Sequence, residues 1–185
     1  MSVRPVRIYG DPVLRRKTTN VETFDDSLRS LAADMHETMH AYRGVGLAAN
    51  QIGVTQRICV VDVPGEAEGA PRRIFTLVNP RLSARSGADV AEEGCLSIPG
   101  VYEDVSRALN VTVEYQDENG ERRTLEAEGY LARAIQHEVD HLDGVLFVDR
   151  LSLLKRQFLR RALEALARGE MPEDWQPPVG KESAR

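Results

Sequence analysis

The apolar positions of this chain change period along its length. Leu28, Leu31, Met35, Met39 and Tyr42 recur every three or four residues, the spacing of one helical face, directly after Asp25-Asp26-Ser27, whose short polar side chains suit a helix start. β-branched and aromatic runs then take over at 57–63, 74–78, 89–92, 109–115 and 122–128, the last two joined by Asp117-Glu118-Asn119-Gly120, a hairpin-turn sequence. Helical spacing returns at about 130–142 and again at 151–168. Hairpin strands ahead of long helices, without strand–helix alternation, predict an α+β fold. Antiparallel sheets pack around a central helix at 130–142, whose apolar face covers the sheet, and a further helix follows toward the C-terminus. From Gly169 onward the chain carries Pro172, Pro177 and Pro178 and reads as a flexible tail over about 169–185, within a single domain spanning 1–185.

The central helix carries His137-Glu138-Val139-Asp140-His141. At i, i+4 both imidazoles share one face, and two imidazoles with a carboxylate alongside make a metal site that brings its own base. Glu138 projects about 100° round the helix from His137, so it lies beside the ion rather than on it. Activation of water by that ion needs a third protein ligand and an open coordination position. Two HExxH protease patterns take that ligand downstream, and neither fits. Gly144 matches the metzincin extension, but Phe147 stands where its third His belongs. A thermolysin-like site takes a Glu from a following helix, whereas Glu164 sits among Leu and Arg as an exposed helix charge. His36 and His40 also stand at i, i+4, with neither a carboxylate base nor a third ligand beside them, and read as surface or partly buried residues.

The two cysteines differ in their surroundings. Cys59 lies in Arg57-Ile58-Cys59-Val60-Val61-Asp62-Val63, a buried-strand sequence in which a free cysteine behaves as a small hydrophobe. Cys95 lies in Glu92-Glu93-Gly94-Cys95-Leu96-Ser97-Ile98-Pro99-Gly100, where Gly and Pro fix a bend that can present the sulfur outward. On its own a cysteine in such a turn is more often structural. The lack of a local third ligand beside the HExxH helix reverses that balance and makes Cys95 the candidate.

Gly44-Val45-Gly46-Leu47-Ala48-Ala49-Asn50-Gln51-Ile52-Gly53 is glycine-rich but lacks the Lys-Ser/Thr ending of a phosphate loop and does not follow a strand. Together with Glu93-Gly94-Cys95-Leu96-Ser97 and Gln136-His137-Glu138-Val139-Asp140-His141, in that order and spacing, it resembles the three signature motifs of bacterial peptide deformylases. Ile8-Tyr9-Gly10-Asp11-Pro12-Val13-Leu14-Arg15 resembles that family's N-terminal segment, so the similarity covers about residues 4 to 165.

The resemblance implies a metal-dependent hydrolase that removes the N-formyl group from the initiator methionine of nascent peptides, releasing formate and a free amine. Cys95, His137 and His141 hold the metal; water on it, lowered in pKa, attacks the formyl carbon, with Glu138 as general base and then acid. By family position the Gln51 side-chain amide and the Leu96 backbone N–H stabilise the oxyanion, where losing one donor typically costs about 10²-fold or more in rate. Gly44, Gly46 and Gly94 admit the substrate backbone closely, in the manner of an added strand. Val45, Tyr130, Ala134 and the aliphatic part of Arg133 form the methionine pocket. Ferrous iron is the resident metal that the resemblance favours, although one thiolate and two imidazoles also accept Zn²⁺, Ni²⁺ or Co²⁺. The segment 100–107 departs from the Arg-bearing version found in enterobacterial members, so subsite contacts there do not carry over.

Composition narrows the setting. With 185 residues, 42% hydrophobic and 29% charged, the chain suits one soluble globular core, and its formal charge of −5 argues against wholesale nucleic-acid binding, DNA included. Residues 1–7 lack the apolar core of a signal peptide and no run approaches a membrane span, so no membrane partner is expected. Two cysteines without an implied bridge point to a reducing compartment, the cytoplasm. Lys155, Arg156, Arg160, Arg161 and Arg168 stand against one acid, Glu164, on the C-terminal helix, a face that is usually just solvated but in a deformylase-like chain also suits ribosomal RNA. The rival readings are an endopeptidase using the same HExxH helix and a structural zinc module without catalysis. Neither releases formate from a formylated peptide.

Overall fold

The computed structural model describes residues 2–65, 67, 69–173 and 175. In chain order its main elements are α1 (Asp26–Ala41), β1 (Gly46–Ala48), β2 (Ile58–Val63), β3 (Arg73–Ser86), β4 (Asp89–Cys95), β5 (Ile98–Arg107), β6 (Asn110–Gln116), β7 (Arg122–Glu128), α2 (Gly129–Leu142) and α3 (Leu153–Ala167). Five strands make one antiparallel sheet in the order β1-β2-β3-β6-β7, and β4 and β5 make a separate hairpin. This is the α+β arrangement that the hydrophobic periods predict. Asp25 caps α1 by accepting from the backbone N–H groups of Ser27 and Leu28, as its place in the sequence suggests.

The core is organised by β2, which is buried along its whole length. Ile58 and Val60 meet Leu28, Leu31, Met35 and Met39 of α1, while Cys59, Val61 and Val63 point the other way, onto Leu131, Ile135, Val139 and Leu142 of α2. Burial on both faces is why 57–63 reads as an almost unbroken apolar run. The apolar face of α2 does cover the sheet, and its opposite side is left to carry the two histidines. A third cluster joins Ile98, Val101 and Val105 of β5 to Leu163 and Leu166 of α3 and to Leu146, Phe147 and Val148.

Two stretches depart from the sequence reading. The run at 74–78 belongs to a strand continuing to Ser86, because Asn79-Pro80 forms a bulge rather than an end. Asn79 takes φ 53°, its side chain exchanging hydrogen bonds with the backbone of Val21 at 2.8 and 2.9 Å. The segment 98–107, whose start reads as a bend, is a full strand in which buried Val101, Val105 and Arg107 alternate with exposed Gly100, Tyr102, Asp104 and Ser106; Pro99 and Gly100 disguise its start. After α3, where the sequence predicts a flexible tail from 169, Met171 packs against the third cluster and Pro172 lies over Gly100. The rest of that expectation, at 174 and 176–185, falls outside the described residues. Among the described residues no helix is long and apolar enough to cross a membrane.

Candidate active site

α2 and the end of β4 bring three donor atoms together. Nε2 of His137 and Nε2 of His141 are 3.2 Å apart, and Sγ of Cys95 is 3.2 Å from His141 Nε2. All three lie within 4.8 Å of one another. Two ring nitrogens facing each other share at most one proton, so hydrogen bonding alone leaves this cluster poorly satisfied. A tetrahedral ion at ordinary metal–nitrogen and metal–sulfur distances places such donors about 3.3–3.6 Å apart, and the group fits one. The hairpin helps to aim the sulfur: its register shifts between Gly94 and Cys95, and such bulges redirect a side chain. A Cβ at Gly94 would meet Tyr102 Cε1 at 2.5 Å, so no larger residue fits there without displacing that ring.

Behind the histidines lies a buried ionic cluster. His137 Nδ1 is 3.0 Å from Glu93 Oε2, which leaves Nε2 of that ring for the metal position. Glu93 also receives two 2.8 Å hydrogen bonds from Arg107 and one of 2.7 Å from Arg133. Against the cost of burial, the hydrogen bonds from Arg107 and His137 hold its carboxyl well below the usual range. Arg107 continues to Asp140, which Arg150 also holds, and Arg133 continues to Asp89 at 2.8 Å. Sequence reasoning missed Glu93, Arg107 and Asp140 as supports of the site. Glu93 was within reach of it, since it stands two residues before Cys95 in the same motif; Arg107 lies twelve positions beyond Cys95, and only the return of β5 along β4 brings it back.

Glu138 sits beside the donors and is nearly inaccessible, with Oε2 lacking a hydrogen-bond partner among the described residues. Burial pushes its carboxyl up to about 7, the region where a general base works best near neutral pH. Gly46 on β1 makes room for it: a Cβ there would lie 2.2 Å from Glu138 Oε1. Gly46→Ala is therefore expected to displace the carboxylate while sparing the three donors. A displacement of about 1 Å costs on the order of 10²-fold in rate. Activity falling to that extent with metal content unchanged is the expected outcome, and full activity would show that Glu138 needs no fixed position.

The remaining sequence-derived residues border one cleft of about 870 Å³, lined by Val45, Gly46, Gln51, Gly94, Cys95, Leu96, Tyr130, Arg133, Ala134, His137 and Glu138. His141 closes the site from behind at 1% exposure. Gln51 Oε1 accepts from the Ala48 N–H at 2.8 Å, which turns its amide toward Ser97 Oγ at 3.2 Å and Cys95 Sγ at 3.6 Å. The Arg133 guanidinium is held by Glu93, Asp89 and the Val105 carbonyl, while the residue itself lines the cleft. His36 and His40 stay outside the site: Nε2 of His36 is 3.1 Å from Thr76 Oγ1, and Nε2 of His40 is 2.6 Å from a buried Asp62. Glu164 is exposed and pairs with Arg160, as expected of a helix-face charge.

A protein-family model described as polypeptide deformylase matches residues 3–157. The chain belongs to the polypeptide deformylase family. A peptide deformylase of Thermus thermophilus is 50% identical over 173 residues, covering 88% of this chain and 90% of the relative. One from Alkalilimnicola ehrlichii is 49% identical over 168 residues, covering 91% and 93%. The crystal structure of the Ehrlichia chaffeensis peptide deformylase in complex with actinonin superposes with a TM-score of 0.83 at 40% identity, covering 93% of this chain and 100% of that one. The chain is thus a peptide deformylase-family enzyme of a metal-dependent class, and its Cys95, His137 and His141 form a group able to hold the ion.

Proposed function

We propose that this enzyme removes the formyl group from N-formylmethionine at the start of newly made peptides, with Cys95, His137 and His141 as metal ligands and Glu138 as the proton carrier. The observation that carries the reading is the meeting of those three donors with a buried, high-pKa carboxyl at one end of a cleft. When bound, a divalent cation polarises the formyl carbonyl and lowers the pKa of water held at the site toward neutrality. Glu138 takes the proton from the attacking water and returns it to the departing amine. The Gln51 amide, already turned toward Cys95, and the Leu96 backbone N–H, in the turn after it, donate to the oxygen that gains charge.

Two strand edges border the cleft, β1 from Gly46 with Gly44 and Val45 just before it, and β4 with Glu92, Glu93 and Gly94. An extended peptide laid between them finds main-chain partners whatever its sequence, which suits an enzyme that must act on many nascent chains. Val45, Tyr130, Ala134 and the stem of Arg133 then take the methionine side chain. The reading makes ferrous iron the resident ion, with Zn²⁺, Ni²⁺ or Co²⁺ as substitutes, and places the whole chain in the cytoplasm as one functional unit. An assay separating formate release from internal cleavage distinguishes it from the endopeptidase alternative: formyl-Met-Ala-Ser should yield formate and intact Met-Ala-Ser, and cleavage within the tripeptide would overturn it.

We also infer that α3 docks on the ribosome near the emerging peptide. Lys155 is drawn to Glu103, Arg160 to Glu164 and Arg168 to Glu170, whereas Arg156 and Arg161 are exposed without an ion pair among the described residues. Leu153, Leu154 and Phe158 stand exposed on the same helix and add an apolar component. Pelleting with ribosomes should weaken only modestly as salt rises, because two available cations give a shallow dependence. No association at low salt would remove this partner.

A further inference from the structure

The chain after α3 is anchored and then turned into the cleft. Gly169 takes φ 82° and the N–H groups of Gly169 and Glu170 return to the carbonyls of Leu166 and Ala165 at 2.9 and 3.0 Å, a left-handed helix ending that reverses direction. Met171 packs against the third cluster, to which Ile98 and Val101 belong. Pro172 then seats over Gly100, where a Cβ would come within 2.8 Å of its ring, and the Trp175 N–H bonds to the Pro172 carbonyl at 3.0 Å. Pro172 and Trp175 both line the catalytic cleft, alongside Pro99, Gly100 and Tyr102. This end is apolar and aromatic, unlike the ionic end at Glu93 and Glu138.

The spacing suggests what it holds. Ile98 is the register partner of Cys95, and Gly100 lies two residues further along β5, about 7 Å at roughly 3.3 Å per residue. An extended peptide whose formyl group is at the metal position covers that distance in about two residues. The cleft volume of about 870 Å³ lies near the upper end of small-ligand sites and leaves room beyond formyl-methionine. A tryptophan ring offers a large apolar face at little entropic cost.

We propose that Pro172 and Trp175 form a subsite for an apolar side chain on the second or third residue of the formyl-peptide, making the segment after α3 a specificity element. The inference rests on the deformylase reading, and its test keeps the two apart. Formate release is measured for formyl-Met-Leu-Phe and formyl-Met-Ala-Ser with the metal-loaded wild type, Trp175→Ala and Trp175→Phe. The expected result is a wild-type preference for formyl-Met-Leu-Phe in kcat/KM that falls about tenfold in Trp175→Ala, the loss of one apolar contact surface, and returns in Trp175→Phe. Trp175 is the chain's only tryptophan, so fluorescence reports the subsite directly. In metal-loaded Glu138→Gln, formyl-Met-Leu-Phe should change the emission saturably and formyl-methionine amide should not. An unchanged preference together with silent emission overturns the subsite. So does an equal rise in kcat/KM for both peptides in Trp175→Ala, which would mark the segment as an obstruction. Absence of formate from both peptides overturns the deformylase reading instead, while an emission change without turnover would keep the subsite.

Discussion

Glu138→Ala is expected to bind its metal normally and to lose about 10²–10⁴-fold in the rate of formate release. The carboxyl is not among the donor group, so its removal leaves Cys95, His137 and His141 intact. It also removes a buried, unpartnered oxygen, so the fold should tolerate the change or gain slightly. Cys95→Ser is the counterpart: it keeps the base and replaces a thiolate by a hydroxyl of much higher pKa, so metal retention fails before chemistry is reached. Metal analysis of the two purified variants separates the roles. A Glu138→Ala protein that turns over normally would remove it from the reaction, and one that loses metal would make it a ligand.

Glu93→Ala should do the largest damage to the fold. Its carboxylate lies between Arg107 and Arg133, both nearly inaccessible, and also meets His137. Taking one partner out of a buried ionic cluster leaves charge without compensation and typically costs about 3–5 kcal/mol. In a chain of this size that corresponds to a fall in Tm on the order of 10 °C. The His137 ring loses its orienting acceptor at the same time, so metal affinity should drop about 10–100-fold. Glu93→Gln preserves the shape and part of the hydrogen bonding and should fall between wild type and Glu93→Ala. Thermal melts with and without metal check both effects; equal melting temperatures for Glu93→Ala and wild type would show that the cluster contributes nothing.

The parts of this molecule that could be read from sequence are those whose physics is local. α1 announces itself through one apolar face and an aspartate cap, β2 through burial on both sides, and the histidine pair of α2 through a single helical turn. Cys95 needed more, because its tie to α2 is set by the hairpin register and by a bulge at Gly94. The sequence points to it through the missing third ligand of the HExxH helix and then through motif order, which stands in for geometry. The ionic cluster was missed for the same reason: Glu93, Arg107, Arg133 and Asp140 are ordinary surface residue types until β5 folds back on β4. β5 itself is hidden by a Pro-Gly start and by the mixed exposed positions Gly100, Tyr102, Asp104 and Ser106. After α3 the prolines argue for a flexible tail, while the placement of Met171 and Pro172 depends on a core surface and a glycine far earlier in the chain.

The central claim is tested most directly by anaerobic purification, reconstitution with Fe²⁺ or Ni²⁺, and measurement of formate released from formyl-Met-Ala-Ser. Release that depends on the added metal and leaves an unblocked Met-Ala-Ser is the predicted result. Folded, metal-loaded protein that releases no formate would contradict the account and return the site to a hydrolase of another substrate.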